Sequence, residues 1–325
     1  MDAWPIAFED VLAARERLRP HLPPTALRSY PSLDLVVGQG IRVFVKHENH
    51  NPTNAFKVRN GLSVLSAMNK DDRRRGVVAA STGNHGQGVG WAGRLLGVPV
   101  TICVPTGNNP EKNESMRALG AVVVEEGRDY DEAVVVAARL AQEQGLRIVH
   151  STNDHAVIAG AGTFGLEILE ERPSLEALVL SVGGGSQAVG AMTAVRGLGR
   201  TTKVYGVQAA GASAGYDSWK AGRRLTTPQV STFAEGLATR SAYEMTFDAL
   251  REGLAGFVTV SDAEIAEALR VLLRVTHNLV EGAGAAGLAG LMKLREELAG
   301  KEVGIVISGG NIDAATLARV LDHSI

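Results

Sequence analysis

The chain has 325 residues, 45% of them apolar and 21% charged, which excludes a disordered polymer and fits either one large α/β unit or two domains. Lys plus Arg number 33 and Asp plus Glu 35, a formal charge of −2, so no cationic field points to a nucleic acid or an anionic membrane surface. The one cysteine, Cys103, allows no intramolecular disulfide, no apolar run approaches the roughly 18 residues of a membrane span, and the acidic opening MDAWPIAFEDVLAARERLRPHL is no secretory signal; a soluble, cytoplasmic enzyme is expected.

Strand-length apolar runs alternate with helical patterns. The first strand is expected at Ile41–Lys46, followed by His47-Glu48-Asn49-His50. That run has the letters of a zinc-protease helix but not its spacing, which needs histidines four apart, and position 51 is Asn; no metal site is expected. In Asn51–Asn60, NPTNAFKVRN, Thr53 is expected to cap a helix and to place Lys57 about one turn inside it. A lysine there, between Phe56 and Val58 and near the positive end of a helix, is partly desolvated; both effects lower its pKa and favour the nucleophilic amine. The strand Gly76–Ala80 leads into Ser81-Thr82-Gly83-Asn84-His85-Gly86-Gln87-Gly88 and a helix. Hydrogen-bonding side chains thus stand at a strand's carboxyl end, where α/β ligand crevices form, although Ser81 or Thr82 could equally act as a helix cap.

Strands are expected next at Val98–Val104, with Cys103 as a buried residue, at Ala121–Glu125 and at Arg147–His150, with a helix at Asp131–Gln144. A helix over Val157–Glu171 and a strand over Ala177–Val182 follow. The loop Ser181–Gly190, SVGGGSQAVG, then brings three consecutive glycines to the start of a helix, where unsatisfied N–H groups suit a phosphate. Its letters also satisfy a loose dinucleotide fingerprint, but the acid needed after the strand Lys203–Gln208 is absent: Gln208-Ala209-Ala210 stands there. Arg223–Phe233 is irregular and reads as a surface excursion, and Ser261 with Glu264 forms a capping box ahead of Ile265, Leu269, Leu272 and Leu273. The last strand, Val303–Ser308, ends in Ile307–Asp313, ISGGNID, which offers the Ser308 hydroxyl at a further strand end. The class is α/β with parallel sheets.

An imine-forming lysine, a glycine loop for a phosphate, an Asn-bearing loop and a strand-end hydroxyl describe a pyridoxal phosphate site. The sequence resembles the fold-type II pyridoxal-phosphate enzymes (tryptophan synthase β-like), most closely their serine/threonine dehydratase (ammonia-lyase) branch. The likeness runs from Phe8–Leu27 through PTNAFKVRN, STGNHGQG, VIAGAGTFGLEI, SVGGGSQ, EGLAT and VEGAGAAG to SGGNID, in the family's order.

The resemblance implies two domains with mostly parallel sheets flanked by helices. Residues 1–75 and 153–325 would form the large cofactor-binding domain and 76–152 a small mobile one, with no C-terminal regulatory domain and with a homodimeric assembly. It implies Lys57 as Schiff-base lysine and proton-moving base, Phe56 beside the ring, Asn84 on the ring oxygen and Ser308 facing the pyridine nitrogen with Glu281 nearby. Gly183, Gly184, Gly185, Ser186 and Gln187 would hold the phosphate, and Ser81, Thr82, Gly83 and His85 would border the substrate carboxylate. A hydroxyl cannot keep the pyridine nitrogen protonated as a carboxylate could, which makes a milder electron sink and favours expulsion of a β-substituent over transamination.

The implied activity is dehydration of a β-hydroxy-α-amino acid to a 2-oxo acid and ammonia. Departures from the family pattern are Asn54-Ala55 for Gly-Ser before Phe-Lys, Ser186 for the fourth glycine, Gln208 for an acid of the family's cation site, and Thr82 where serine racemases carry serine. They leave open a substrate bulkier than threonine or serine, such as phenylserine or hydroxyaspartate. Racemisation or β-replacement remains an alternative, as does, from another class, a nicotinamide oxidoreductase or a non-catalytic binding protein.

Overall fold

A computed structural model describes residues 4–325. Ten strands are present among them: β1 Leu27–Ser29, β2 Arg42–His47, β3 Val77–Ala80, β4 Val100–Val104, β5 Val122–Glu125, β6 Arg147–Ile148, β7 Ala177–Ser181, β8 Lys203–Ala209, β9 Gly256–Val260 and β10 Glu302–Ile307. They form a six-stranded sheet ordered β1-β2-β10-β7-β8-β9 and a four-stranded sheet ordered β5-β4-β3-β6. All pairings are parallel except β1 against β2. The apolar β7 (Ala-Leu-Val-Leu-Ser) and the Val- and Ile-rich β10 are buried along nearly their whole length, because helices cover both faces of a parallel sheet.

The eight expected strands are all present, with ends shifted by a residue or two; β6 stops at Ile148, two residues short of the expected end. β1 and β9 were not foreseen. β1 is three residues at an edge, with half-exposed or exposed side chains, and β9, Gly-Phe-Val-Thr-Val, alternates too weakly to stand out. Helices occupy Tyr130–Gln144 and His155–Glu171, capped by the Asp129 and Asp154 carboxylates, and the Ser261–Glu264 capping box is formed. Cys103 is buried in β4.

Two expectations are corrected. Thr53 does not cap a helix: the helix is Lys57–Ala67, Phe56 is its N-cap, and Lys57 is its first residue. Asn54 takes a left-handed conformation (φ +52°), turning the chain so that Ala55 pairs with Gly309, which a helix begun at Thr53 would forbid. The 223–233 segment is irregular, with one isolated bridge from Thr226 to Ser241, but it is more than a surface excursion, since Val230 and Phe233 line the main cleft.

Glu48 of the HENH run turns inward. Its carboxylate accepts from Arg59 Nε (2.7 Å), Thr25 Oγ1 (2.6 Å) and Asn51 Nδ2 (2.8 Å), while Arg59 Nη1 and Lys46 Nζ each reach Glu167 at 2.6 Å. Lys46, Glu48 and Arg59 are thus buried together at the first turn of the lysine helix, with the partly buried Glu167 closing the cluster. Such a cluster holds its geometry through mutual hydrogen bonds, while the cost of taking three charges fully and a fourth partly out of water leaves its net stabilisation small.

Candidate active site

The carboxyl ends of β3, β7 and β10 open into one cleft of about 660 Å³. Lys57, Phe56, Ser81, Thr82, Gly83, Asn84, His85, Gly183, Gly184, Gly185, Ser186, Gln187, Glu281 and Ser308 all line it. Residues dispersed over 253 positions, from Phe56 to Ser308, therefore converge on one space.

Lys57 Nζ donates to the Ser151 carbonyl at 2.8 Å and lies 5.1 Å from the Phe56 ring centroid. Burial lowers its pKa from 10.5 to about 8, so a useful fraction of neutral amine exists near neutrality. The turn before it is zipped to the loop after β10: Phe56 N–H donates to the Ser308 carbonyl (2.9 Å) and Gly310 N–H to the Asn54 carbonyl (2.9 Å). That zipper sets Ser308, 3% exposed, next to the lysine turn.

Across the cleft, β7 is followed by Val182, Gly183-Gly184-Gly185 and the helix Ser186–Gly197. A Cβ on Gly184 would lie 2.0 Å from Thr152 Oγ1, one on Gly183 2.3 Å from the Gly236 carbonyl, and Gly185 has φ +97°. Only glycine fits this loop, which leaves bare backbone and the free N–H groups of the helix start facing the cleft. Gln187 Nε2 is buried without a hydrogen-bond partner in the same wall. A backbone cradle with an unspent buried donor fits a phosphate.

The loop after β3 is held from within. Ser81 Oγ accepts from Gly83 N–H (3.2 Å) and Gly86 N–H (2.8 Å), so Ser81 supports the start of the helix Asn84–Leu96 although Gly83 is its N-cap. The Thr82 carbonyl accepts from Asn108 Nδ2 (3.4 Å). His85 donates from Nε2 to the Val149 carbonyl (3.0 Å), and burial pushes its pKa down to about 3; the ring is neutral, and its Nδ1 is buried without a partner. Asn84 Nδ2 donates to Glu281 Oε1 at 2.7 Å, and burial raises the Glu281 pKa from 4.5 to about 7. A Cβ on Gly309 would lie 2.5 Å from Glu281 Oε1, which accounts for the glycine there.

Sequence reasoning missed several cleft residues. Asn311 donates from Nδ2 to Asn84 Oδ1 (2.7 Å) and to the Thr53 carbonyl (2.8 Å). Lys112 pairs with Glu235, and Arg240 with Asp131 (2.6 Å) and Asp129 (3.2 Å), across the cleft mouth. Tyr130 and Tyr243 also line the wall. Asn311 was legible only as part of SGGNID; the ion pairs join residues more than a hundred positions apart and leave no local signal.

Fold and site together define an α/β protein whose cleft sets a buried lysine in one space with a glycine cradle, an arrangement that fits a phosphorylated aldehyde. Comparison with known proteins agrees: the family described as pyridoxal-phosphate dependent enzymes matches residues 18–309, and the chain belongs to that family. It is 37% identical to the L-threonine ammonia-lyase of Thermotoga maritima over 320 residues, 98% of this chain and 79% of that protein. It is 35% identical to the L-threo-3-hydroxyaspartate ammonia-lyase of a Pseudomonas species, over 97% of this chain and 98% of that one. Among solved structures, maize serine racemase superposes with a TM-score of 0.93 at 27% identity, covering 99% of this chain and 98% of that one. The processed form of threonine deaminase isoform 2 from Solanum lycopersicum superposes at 0.92 with 30% identity, covering 97% of this chain and 86% of that one. The fold is that of the fold-type II enzymes, and the cofactor is pyridoxal 5′-phosphate.

Proposed function

We propose that the protein is a pyridoxal-phosphate-dependent lyase that dehydrates a β-hydroxy-α-amino acid and releases a 2-oxo acid and ammonia. The observation that carries this reading is the placement of Lys57, its amine eased toward neutrality by burial, in one cleft with the glycine cradle and the Ser308 hydroxyl. The ammonia-lyases at 35–37% identity support the reaction class.

Bound there, the cofactor supplies an electron sink that acidifies the substrate Cα proton. Lys57 would hold the cofactor covalently, and its neutral amine would be the base that takes up the substrate Cα proton. Gly183–Gly185, Ser186 and Gln187 would hold the phosphate through N–H groups and an amide. Phe56 would flank the ring, Asn84 would bond its oxygen and Ser308 would donate to its nitrogen, with Glu281 beside Asn84. The Ser81–His85 loop takes the substrate carboxylate at the start of the Asn84–Leu96 helix, where backbone N–H groups suit an anion. His85, neutral at physiological pH, offers Nδ1 as an acceptor. Residues 76–152 act as a small mobile domain that closes on substrate, and the Lys112–Glu235 and Arg240–Asp131 pairs steady the closed cleft.

The charge inventory of the cleft favours an uncharged β-substituent. Apart from Lys57, its cations are already paired: Lys112 with Glu235, Arg128 with Glu132, and Arg240 with Asp129 and Asp131. Threonine, serine or phenylserine would thus be accepted ahead of hydroxyaspartate, whose second carboxylate would meet no free cation. Thr82, standing where serine racemases carry serine, favours elimination over racemisation. No helix among the described residues is long and apolar enough to cross a membrane; a cytoplasmic location and a homodimer are part of the proposal, the dimer resting on family resemblance.

The test is release of 2-oxo acid and ammonia from L-threonine, L-serine, threo-phenylserine and threo-3-hydroxyaspartate. Turnover of a neutral substrate at a kcat/KM at least about tenfold above that for hydroxyaspartate is expected. Recovery of amino acid of inverted hand without ammonia would replace the reading with racemisation.

A further inference from the structure

The hydrogen bonds around Asn84 fix more than its position. The Thr53 carbonyl can only accept, so the Asn311 atom 2.8 Å away is Nδ2, and the same Nδ2 faces Asn84 at 2.7 Å. The Asn84 atom receiving it is therefore Oδ1, which turns Asn84 Nδ2 toward Glu281 Oε1 at 2.7 Å. Both Asn311 Nδ2 hydrogens are spent in this way, and one of the two on Asn84 Nδ2 remains for the cleft that Asn84 lines. Glu281 does not select that orientation alone: burial raises its pKa to about 7, and in its protonated form the carboxyl can donate to an amide oxygen as readily as it accepts from an amide N–H. Asn311 itself is tied to the lysine turn, since Ala55 pairs with Gly309, and Gly310 N–H donates to the Asn54 carbonyl at 2.9 Å.

We infer that Asn311 is a positioning residue: anchored on the Thr53 carbonyl, it locks the Asn84 amide with N–H rather than C=O presented to the ring oxygen of the cofactor. The inference rests on the cofactor reading above and assigns a task to a residue that touches Asn84 rather than the reacting atoms. A carbonyl in that place would repel the ring oxygen, and a freely turning amide would donate only part of the time.

The experiment compares the unaltered protein with Asn311→Ala, Asn311→Asp, Asn84→Ala and the Asn84→Ala/Asn311→Ala pair, after thermal melts establish that each is folded. The readouts are the visible absorption maximum of bound pyridoxal phosphate and its dissociation constant. Asn311→Asp keeps the volume but accepts where Asn311 donates, so a space-filling role would leave the spectrum unchanged. The expected result is that both Asn311 variants shift the absorption maximum in the direction of Asn84→Ala and weaken the cofactor about tenfold. The pair should show no shift beyond Asn84→Ala alone, since Asn311 acts through Asn84. Unchanged spectra in both Asn311 variants, or shifts that add to that of Asn84→Ala, overturn the inference while the cofactor reading stands. A protein that takes up no pyridoxal phosphate contradicts both.

Discussion

At the end of the cleft proposed for the phosphate, the wall is one short segment, Gly183–Gln187, that presents mainly backbone; at the end proposed for the ring, Asn84, Glu281, Ser308 and Asn311 arrive from distant parts of the chain and present side chains. The first end tolerates no added atom, because Thr152 and the Gly236 carbonyl lie against its glycines. The second tolerates no lost hydrogen bond, because each group orients the next. The ring end also rests on the buried Glu48–Arg59–Glu167–Lys46 cluster, through the Asn51 bond that holds the turn before Lys57. A ligand can thus be gripped by shape at one end and by oriented polarity at the other.

The sharpest way to break this contrast is to remove the support of the ring end. Arg59→Met leaves Glu48 and Glu167 without their main partner in the interior, and a loss of about 3–5 kcal/mol in denaturant unfolding is expected. A loss below about 1 kcal/mol would mean that the cluster carries little of the architecture. At the phosphate end, Gly184→Ala places a Cβ against Thr152 and should weaken cofactor binding by roughly ten- to a hundredfold, the usual cost of overpacking, as read by equilibrium dialysis. Gln187→Ala removes a single side-chain donor from a cradle made of backbone, so a smaller loss of about two- to tenfold is expected in the same measurement.

The gentlest probe is pH. Glu281 is held protonated up to about 7 in the folded protein, against 4.5 for a free carboxyl. Its contribution to stability is therefore intact below pH 4.5 and is lost as pH rises through 7, where the native state gives up a proton the unfolded chain has already released. Melting temperature should fall across that window, and Glu281→Gln should flatten this part of the profile. An identical profile in the variant would remove Glu281 from the account.

The same contrast explains what was legible in the sequence. A glycine loop between an apolar strand and a helix is a local signal, so the bare-backbone helix start at Gly183–Gln187 could be read from its neighbours alone. Lys57 was legible as a residue but not in its setting. The left-handed Asn54 and the zipper to Gly309 start the helix later than Thr53 suggests, and no local propensity encodes a pairing across the length of the chain. Asn311, the Lys112–Glu235 pair and the buried Glu48 cluster were illegible for the same reason. β1 and β9 escaped because short edge strands carry little hydrophobic pattern.

The central claim is that Lys57 carries the cofactor, and the most direct measurement is borohydride reduction of the protein loaded with pyridoxal phosphate, followed by peptide mass mapping at a series of pH values. The account predicts a single phosphopyridoxyl adduct on Lys57, with attachment that accelerates as pH rises through about 8, the value to which burial lowers this amine. An unmodified Lys57 in a colourless protein, or an adduct on another lysine, would contradict it.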